Sequence, residues 1–262
     1  MYGGMVFGQY LPGKSTIHCL DPRAKLISTV LLGAAVFLSG SWLEIFSITL
    51  WVLMIIYLTK ISPVLILKTW RVFWVFLGLL LLLQVIFIPG EVIYEYGILK
   101  ITKEGLTQGG QIFFRLALIM VLASVFTFTT SPVSITGSIE IIFAPLKKFK
   151  FPVHEMAMMI TIAIRFLPTL FRDTNKIIAA QRSRGAPFNR KDIFRIDKFI
   201  IPVIVPLFVR VFQRADDLAT AMEVRCYNGG DRRTRFKEFR YTKKDFAAII
   251  ISILIFLYAG LM

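Results

Sequence analysis

Long apolar runs, broken by short polar turns, dominate the first half of the chain. Residues 26–58 are almost entirely apolar except for a break at Ser39-Gly40-Ser41. A single helix over this range would be too long, because about 20 residues already cross the hydrocarbon core of a bilayer. The pattern therefore predicts two membrane-spanning helices that are joined by a tight turn.

Three more apolar runs predict spans over residues 72–88, 111–129 and 246–262. The loop at 91–105 carries three acidic and two basic residues, whereas the link at 60–71 is basic. Positively charged loops beside membrane spans mark the cytosolic side. The expected topology has five spans, a cytosolic N-terminus and an external C-terminus.

Several charged residues lie close to these spans. Glu44 is near the predicted turn, where we expect it to reach water or headgroups, and Arg115 is expected to extend to the interface from the fourth span. Asp21-Pro22-Arg23-Ala24-Lys25 precedes the first span. Asp and Pro suit the cap and the first position of a helix, and we interpret the two basic residues as membrane anchors.

Composition supports a membrane protein with a basic cytosolic region. Hydrophobic residues make up 56% of the 262 residues and charged residues only 18%, against about 25% charged in a soluble domain. Of the net charge of +15, residues 131–244 hold +12, from 22 Lys/Arg and 10 Asp/Glu. We therefore divide the chain into a cytosolic lead and four spans (1–130), a basic cytosolic coupling region (131–244) and a final span (245–262).

The basic region retains helical patterning. Apolar residues recur at helical spacing between residues 155 and 184, which predicts a long amphipathic helix that stops at Gly185. A second helix is predicted to begin after Pro202 and Pro206 and to run to Arg225. The fold expected from all of these patterns is an all-α membrane protein, with about five transmembrane helices and long amphipathic cytosolic helices.

The two amphipathic helices end alike. One ends in Ala180-Gln181-Arg182-Ser183-Arg184-Gly185 and the other in Ala221-Met222-Glu223-Val224-Arg225-Cys226. Each end places an alanine four residues before an arginine, on the same helical face. Such an arginine can pair with a carboxylate on a partner protein. It can equally serve only to neutralise its own helix dipole, and the residues alone leave both interpretations open.

Few residues suggest chemistry. The stretch from Gly8 to Ser15 matches the phosphate-binding pattern of P-loop ATPases, but the strand and helix which that mechanism needs are missing around it. His18 and His154 lack ligand-type spacing, so no metal site is expected. A membrane-embedded enzyme that modifies a lipid or isoprenoid stays an alternative, with Asp216-Asp217 as its nearest acidic group. The basic region carries no nucleic-acid-reading motif.

The chain resembles the transmembrane T component of energy-coupling factor (ECF) transporters, which are ABC-type importers of vitamins and some transition metals. The resemblance covers essentially the whole chain and rests on motifs in a fixed order. These are Gly8-Gln-Tyr10, Pro12-Gly13, Ser15, His18 and residues 20–25 near the N-terminus, Arg165–Pro168, Ala180-Gln181 with Arg184-Gly185, Arg214–Asp216, and Ala221–Glu223 with Arg225.

The resemblance implies a non-catalytic scaffold in the bacterial cytoplasmic membrane. It would link two cytosolic ABC ATPases, which bind ATP and Mg²⁺, to a membrane S component that binds the substrate. The chain itself would bind no cofactor, metal or nucleic acid. Residues 183–185 and 224–226 would contact the ATPases, supported by Ala180, Gln181 and 221–223. The family pattern at each helix end is Ala-Arg-Gly, and Val224 and Cys226 replace both small residues at the second end.

Overall fold

The computed structural model describes residues 10–96, 99–185, 201–227, Gly229 and 239–261. Within them the fold is helical, with a single short antiparallel strand pair, which confirms the all-α class. The helices are α1 (Pro22–Leu38), α2 (Trp42–Thr59), α3 (Pro63–Thr69), α4 (Arg71–Phe87), α5 (Lys103–Thr129), α6 (Pro132–Ile142), α7 (Val153–Ser183), α8 (Ile201–Val224) and α9 (Lys243–Leu261); β1 (Val92–Tyr96) pairs with β2 (Leu99–Thr102), and a 3₁₀ helix covers Ala144–Phe149.

The chain forms two compact units. Met1–Ser138 and Lys237–Met262 make up the first unit, and Ile139–Phe236 makes up the second. In the first unit, α1, α2, α5 and α9 surround an apolar core. Its buried members are Leu32, Ala35, Val36, Ile45, Ile48, Val52, Leu118, Leu122, Ile255 and Ala259. The functional division at residues 130 and 244 stays a prediction.

The structure confirms the tight turn and revises the set of spans. The turn separates α1 from α2 at residues 39–41. Four helices, α2, α5, α7 and α9, are long and apolar enough to cross a membrane, and a fifth span would combine α3 with α4 across a 71° bend. The basic link at 60–71 thus contains a helix, and α5 begins eight residues before the predicted fourth span. Helix α1 has 17 residues, about 25 Å at 1.5 Å per residue, slightly short of the core thickness.

The predicted external loop is more regular than expected. Strands β1 and β2 pair antiparallel within residues 91–105, and the Thr102 hydroxyl caps α5 by accepting from the Gly105 amide at 3.1 Å. The sequence indicates only a loop there. A pair this short has too few alternating positions to stand out from a polar loop in the sequence.

The stretch that mimics a P-loop has a different role in the described residues. A Cβ at Gly13 would lie 2.8 Å from His18 Cε1, so the imidazole lies directly on the Gly13 backbone. His18 Nε2 donates to the Leu11 carbonyl at 3.0 Å, and its Nδ1 accepts from the Ser15 hydroxyl at 2.6 Å. Burial lowers the pKa of His18, which favours this neutral form. The glycine and serine therefore hold a histidine and not a phosphate, and α1 begins only at Pro22.

Asp21 caps α1 as predicted, with its carboxylate accepting from the Arg23 amide at 2.9 Å. The interpretation of Arg23 and Lys25 as membrane anchors is wrong. Arg23 pairs with Asp21 at 3.0 Å and donates to the Phe239 carbonyl at 2.9 Å. Lys25 is only 7% exposed and donates to two carbonyls, those of His18 and Thr129. Both cations thus join segments of the protein, because a buried charge needs partners that lipid cannot supply.

Asp245 completes this network from α9. It is fully buried and accepts from the Asp21 amide at 2.7 Å and from the amide and hydroxyl of Thr242 at 2.6 Å each. The bonds from Thr242 form half of a capping box at the start of α9. The bond from Asp21 joins the first turn of α1 to the first turn of α9, although the two residues are 224 positions apart.

Glu44 and Arg115 also differ from expectation. Glu44 is 1% exposed and accepts from the Gly40 amide at 2.8 Å, so it stabilises the turn and does not reach water. Arg115 donates to the Ser39 carbonyl and so does not extend to the interface. Both side chains satisfy backbone groups of the α1–α2 turn, which would otherwise be unpaired in an apolar surrounding.

We predict that Asp245→Ala destabilises the protein by at least about 2 kcal/mol, because it leaves the buried Asp21 amide and the partly buried Thr242 amide without an acceptor. Asp245→Asn should cost less, since one carbonyl oxygen remains. Thermal unfolding of the detergent-purified chain measures both effects. Asp217→Ala, at an exposed carboxylate, is the control, and equal unfolding temperatures for Asp245→Ala and Asp217→Ala would contradict the role of the buried network.

Candidate functional site

The two long helices of the second unit are present, with one shift of boundary. Helix α7 covers Val153–Ser183, within two residues of the prediction. Helix α8 begins at Ile201, before both prolines that we expected to precede it, and Pro206 lies inside it. Pro202 is tolerated in the first turn, where amides have no helical partner. Pro206 leaves the Pro202 carbonyl without its i+4 donor, and Gln181 Nε2 supplies one from α7 at 3.3 Å.

Both helix ends have a left-handed residue directly after the arginine, and its amide donates back into the last turn. After α7, Arg184 is the C-cap, and Gly185 follows with φ +83° and donates to the Arg182 carbonyl at 3.0 Å. After α8, Cys226 has φ +55° and donates to the Glu223 carbonyl at 2.8 Å, while the Tyr227 amide donates to Met222 at 3.0 Å. The latter pair of bonds is a Schellman motif. Cys226 therefore adopts the left-handed conformation that Gly185 adopts at the first end, and α8 ends at Val224, one residue before the predicted end at Arg225.

The residues predicted to contact a partner are accessible. Ala180, Ser183, Arg184 and Gly185 are exposed, and Gln181 is half-buried. At the other end Ala221, Glu223, Val224, Arg225 and Cys226 are exposed, and Met222 is half-buried. Val224 is 78% exposed and stands beside Arg225. Each end thus presents a guanidinium with small or apolar neighbours. Both arginines are exposed at the surface and not buried in the interior of the protein.

Contacts between α7 and α8 show that the two helices run antiparallel. Gln181 contacts Pro202, Asp173 pairs with Arg214, and the Arg214 guanidinium lies 5.8 Å from the centre of the Phe166 ring. Arg184 therefore lies near the start of α8, whereas Arg225 lies at its far end. The 23 residues from Pro202 to Arg225 correspond to about 35 Å of helix. The two arginines mark opposite ends of the helix pair.

The ion pair at Asp173 was missed in the sequence. Asp173 is 7% exposed, and its carboxylate is 3.0 Å from Arg214 Nη2 and 4.0 Å from Arg210 Nη1. The signal was present, because Asp173 is three residues after Leu170 and four before Ile177, on the apolar face of α7. A carboxylate on such a face needs a cationic partner from the helix packed against it.

Part of the apolar face of α7 is not covered by the described part of the chain. Met156, Met159 and Ile160 belong to the predicted stripe, yet Met159 is 58% exposed, whereas Ile177 is buried. Helix α8 also exposes large apolar side chains. These are Ile204, Val205, Phe208, Val209 and Phe212. Exposed apolar surface of this extent is typical of contact with lipid or with another membrane protein.

Comparison with known proteins identifies the family. Residues 13–236 match the CbiQ family, described as a cobalt transport protein. The chain belongs to this family. The ECF transporter transmembrane protein EcfT of Ruminiclostridium cellulolyticum is 40% identical over 262 residues, which covers 100% of this chain and 98% of the relative. EcfT of Bacillus subtilis is 38% identical over 256 residues, or 97% and 96% of the two chains.

The comparisons confirm the resemblance to ECF T components, which are non-catalytic membrane subunits of transporters. In the described part of this family member, no group of three or more His, Cys, Asp or Glu side chains is placed to hold a metal ion. Asp216 and Asp217 are exposed and join no such group. His154 is engaged with Glu140 at 2.8 Å. The enzyme alternative therefore finds no support in these residues.

We predict that Cys226→Gly leaves the structure of the second helix end and the transport activity intact, because glycine adopts positive φ without a steric cost. Cys226→Val should disturb the cap, since a β-branched side chain is strongly disfavoured there. Substrate uptake and expression of the transporter measure both variants. Equal uptake by the glycine and valine variants would contradict the importance of the cap.

We predict that Asp173→Ala destabilises the α7–α8 pair by about 1.5 kcal/mol, because it leaves the Arg214 guanidinium, which is one-third exposed, without its carboxylate. The double variant Asp173→Ala/Arg214→Leu should recover part of the loss, as expected for residues that interact directly. Hydrogen exchange of α7 and α8 amides reports local stability. Additive effects of the two single substitutions would argue against a direct pair.

Proposed function

We propose that the chain couples two cytosolic ABC ATPases to a substrate-binding S component in an importer for vitamins or metal ions. The observation that carries this proposal is the pair of exposed arginines, Arg184 and Arg225, each followed by a left-handed residue at opposite ends of α7–α8. A two-ended element is what a subunit needs to contact two ATPases at once. The names of the relatives support transport by an ECF system.

Each arginine would pair with acidic groups in a groove of one ATPase. The guanidinium offers a planar set of donors that matches a carboxylate, and removal from water strengthens the pair. Gly185 and Cys226 turn the chain away directly after each arginine, so the helix end can enter a groove without a following turn in the way. Residues 183–185 and 224–226 form these contacts, and residues 180, 181 and 221–223 support them.

ATP and Mg²⁺ would be bound by the ATPases, and this chain supplies no group for hydrolysis. When ATP closes the two ATPases, the two ends of α7–α8 move with them. The salt bridge between Asp173 and Arg214 resists separation of the helices. When the helix ends move, α7 and α8 therefore move together. The exposed apolar side chains of α7 and α8 offer a surface for the S component, which reorients and releases its substrate inside.

The proposed topology places the N-terminus and the α7–α8 pair on the cytosolic side of the bacterial membrane, so α7 would not be a span although it is long and apolar enough to be one. The net charge of +12 in residues 131–244 supports this orientation, because basic segments beside spans stay in the cytosol. The same charge favours acidic partner surfaces over nucleic acid, for which the chain offers no base-reading motif.

We predict that Arg184→Glu and Arg225→Glu each weaken ATPase binding by at least tenfold, because a carboxylate replaces the cation of a buried pair. The double variant should lose uptake while its expression stays normal. Copurification of the ATPases and uptake in cells measure the two effects. Alanine at either position should act more weakly than glutamate.

Arg182→Glu is the matched control. Arg182 is also exposed in the last turn of α7, but it lies two residues before Arg184, the C-cap residue. It carries the same change of charge on a different face of the helix. Normal uptake by the double variant would reject the coupling role. Equal losses of ATPase binding and uptake in Arg182→Glu and Arg184→Glu would show that only the overall charge of the helix end matters, and not the position of Arg184.

A further inference from the structure

A cavity of about 350 Å³ lies in the first unit between α1, α2, α5 and α9, and it opens to the surroundings. Its wall is almost entirely apolar. Representative lining residues are Leu32, Trp51, Met54, Phe126, Ile251 and Ile255. Nothing in the coupling mechanism uses this cavity, and it is independent of the arginines at the ends of α7 and α8.

Charged groups line only one end of the cavity. Lys25 and Lys244 lie there, and no carboxylate is among the described lining residues. Lys25 uses two of its three N–H groups on the His18 and Thr129 carbonyls, while Lys244 is exposed. Ser28 also lines the cavity, and its buried hydroxyl has no hydrogen-bond partner in the described part of the chain. This end therefore has positive charge and unused hydrogen-bonding capacity.

The depth of the cavity matches one leaflet of a membrane. Lys244 and Ile255 mark its extent along α9, and the 11 residues between them correspond to about 16 Å. That length is close to half of the roughly 30 Å hydrocarbon core. The lysines belong to the first turns of α1 and α9, so they lie at the level where lipid headgroups meet the hydrocarbon.

The volume is too small to enclose a helix of a partner protein within the walls of the cavity. One helical turn is about 5.4 Å of a cylinder roughly 10 Å across, which already exceeds 350 Å³. A single hydrocarbon chain is narrow enough to enter. Two cations at the headgroup level favour a negatively charged lipid over a zwitterionic one, since Asp21 and Asp245 lie near Lys25 but no described carboxylate lines the cavity itself.

We propose that this cavity binds one acyl chain of an anionic phospholipid of the cytosolic leaflet, with the headgroup phosphate beside Lys25 and Lys244. The lipid would fill the space between four helices and would also provide an acceptor for the lysines. It would thus act as a structural ligand of the membrane-spanning unit.

Native mass spectrometry of the detergent-purified full chain tests the proposal. The chain is stripped of lipid and then titrated with phosphatidylglycerol or with phosphatidylcholine of the same acyl chains. We expect one tightly retained phosphatidylglycerol and markedly weaker retention of phosphatidylcholine. Lys244→Gln should weaken phosphatidylglycerol binding about fivefold, the effect of one basic residue near an anionic headgroup.

Two matched controls make the test specific. Lys243→Gln removes a neighbouring exposed lysine that does not line the cavity and should change binding less than twofold. Ala248→Phe fills the cavity and should reduce binding at least tenfold, whereas Ile250→Phe adds a ring on a face of α9 outside the cavity. Unfolding temperatures establish whether the variants are folded. If Ala248→Phe does not fold, the comparison of Lys243→Gln with Lys244→Gln tests the proposal.

Equal retention of both lipids would overturn the proposal. Equal effects of Lys243→Gln and Lys244→Gln would also overturn it, because they would indicate lipid held by general surface charge. Unchanged binding in a folded Ala248→Phe variant would place the lipid elsewhere on the protein.

Discussion

A charge that is removed from water in this protein has to be matched by partners from a distant part of the chain. Asp245 shows the principle in the first unit, where it joins the first turns of α1 and α9 through the Asp21 amide. Asp173 shows it in the second unit, where it pairs α7 with α8 through Arg214. Apolar packing alone is weakly directional among lipid tails that are as apolar as the helices. The buried polar contacts therefore determine which helices meet and in which register.

The same constraint explains the polar backbone groups at the turns. Glu44 and Arg115 satisfy the α1–α2 turn, and Gln181 satisfies the carbonyl that Pro206 leaves without a donor. Each side chain could have been exposed at a membrane surface, but its hydrogen bond is worth more where water is absent. Residues that resemble loosely placed surface charges in the sequence thus become specific connectors in the fold.

The proposed coupling role follows from the contrast between these paired charges and the arginines at the helix ends. Arg184 and Arg225 are exposed at positions where a left-handed residue ends each helix. The chain tolerates Cys226 there because the conformation is set by the hydrogen bonds of the last turn, and a small unbranched side chain adopts it at a modest cost. Rigid pairing inside and free charge at both ends are the two properties that a transmitting element requires.

Much of the architecture was evident from local patterns. Apolar runs located α2, α4, α5 and α9 to within a few residues, except for the earlier start of α5, because burial in lipid demands continuous apolar sequence. Helical periodicity and glycine located α7 and the first helix end. The start of α8 was predicted too late, since the preference of proline to end helices is weaker in a first turn, where few amides have partners. The strand pair and the helix in the basic link were missed because both are short.

By itself, the sequence determined the membrane class, the positions of the long helices and the two arginines, since these depend on residues within one or two helical turns. Tertiary structure alone decided that Lys25, Arg23 and Glu44 face inward, that Asp173 meets Arg214, and that a cavity remains beneath Lys244. Those outcomes depend on contacts between residues far apart in the chain. A charged residue has the same local pattern whether its partner is water or another helix, so only the packed fold distinguishes the two cases.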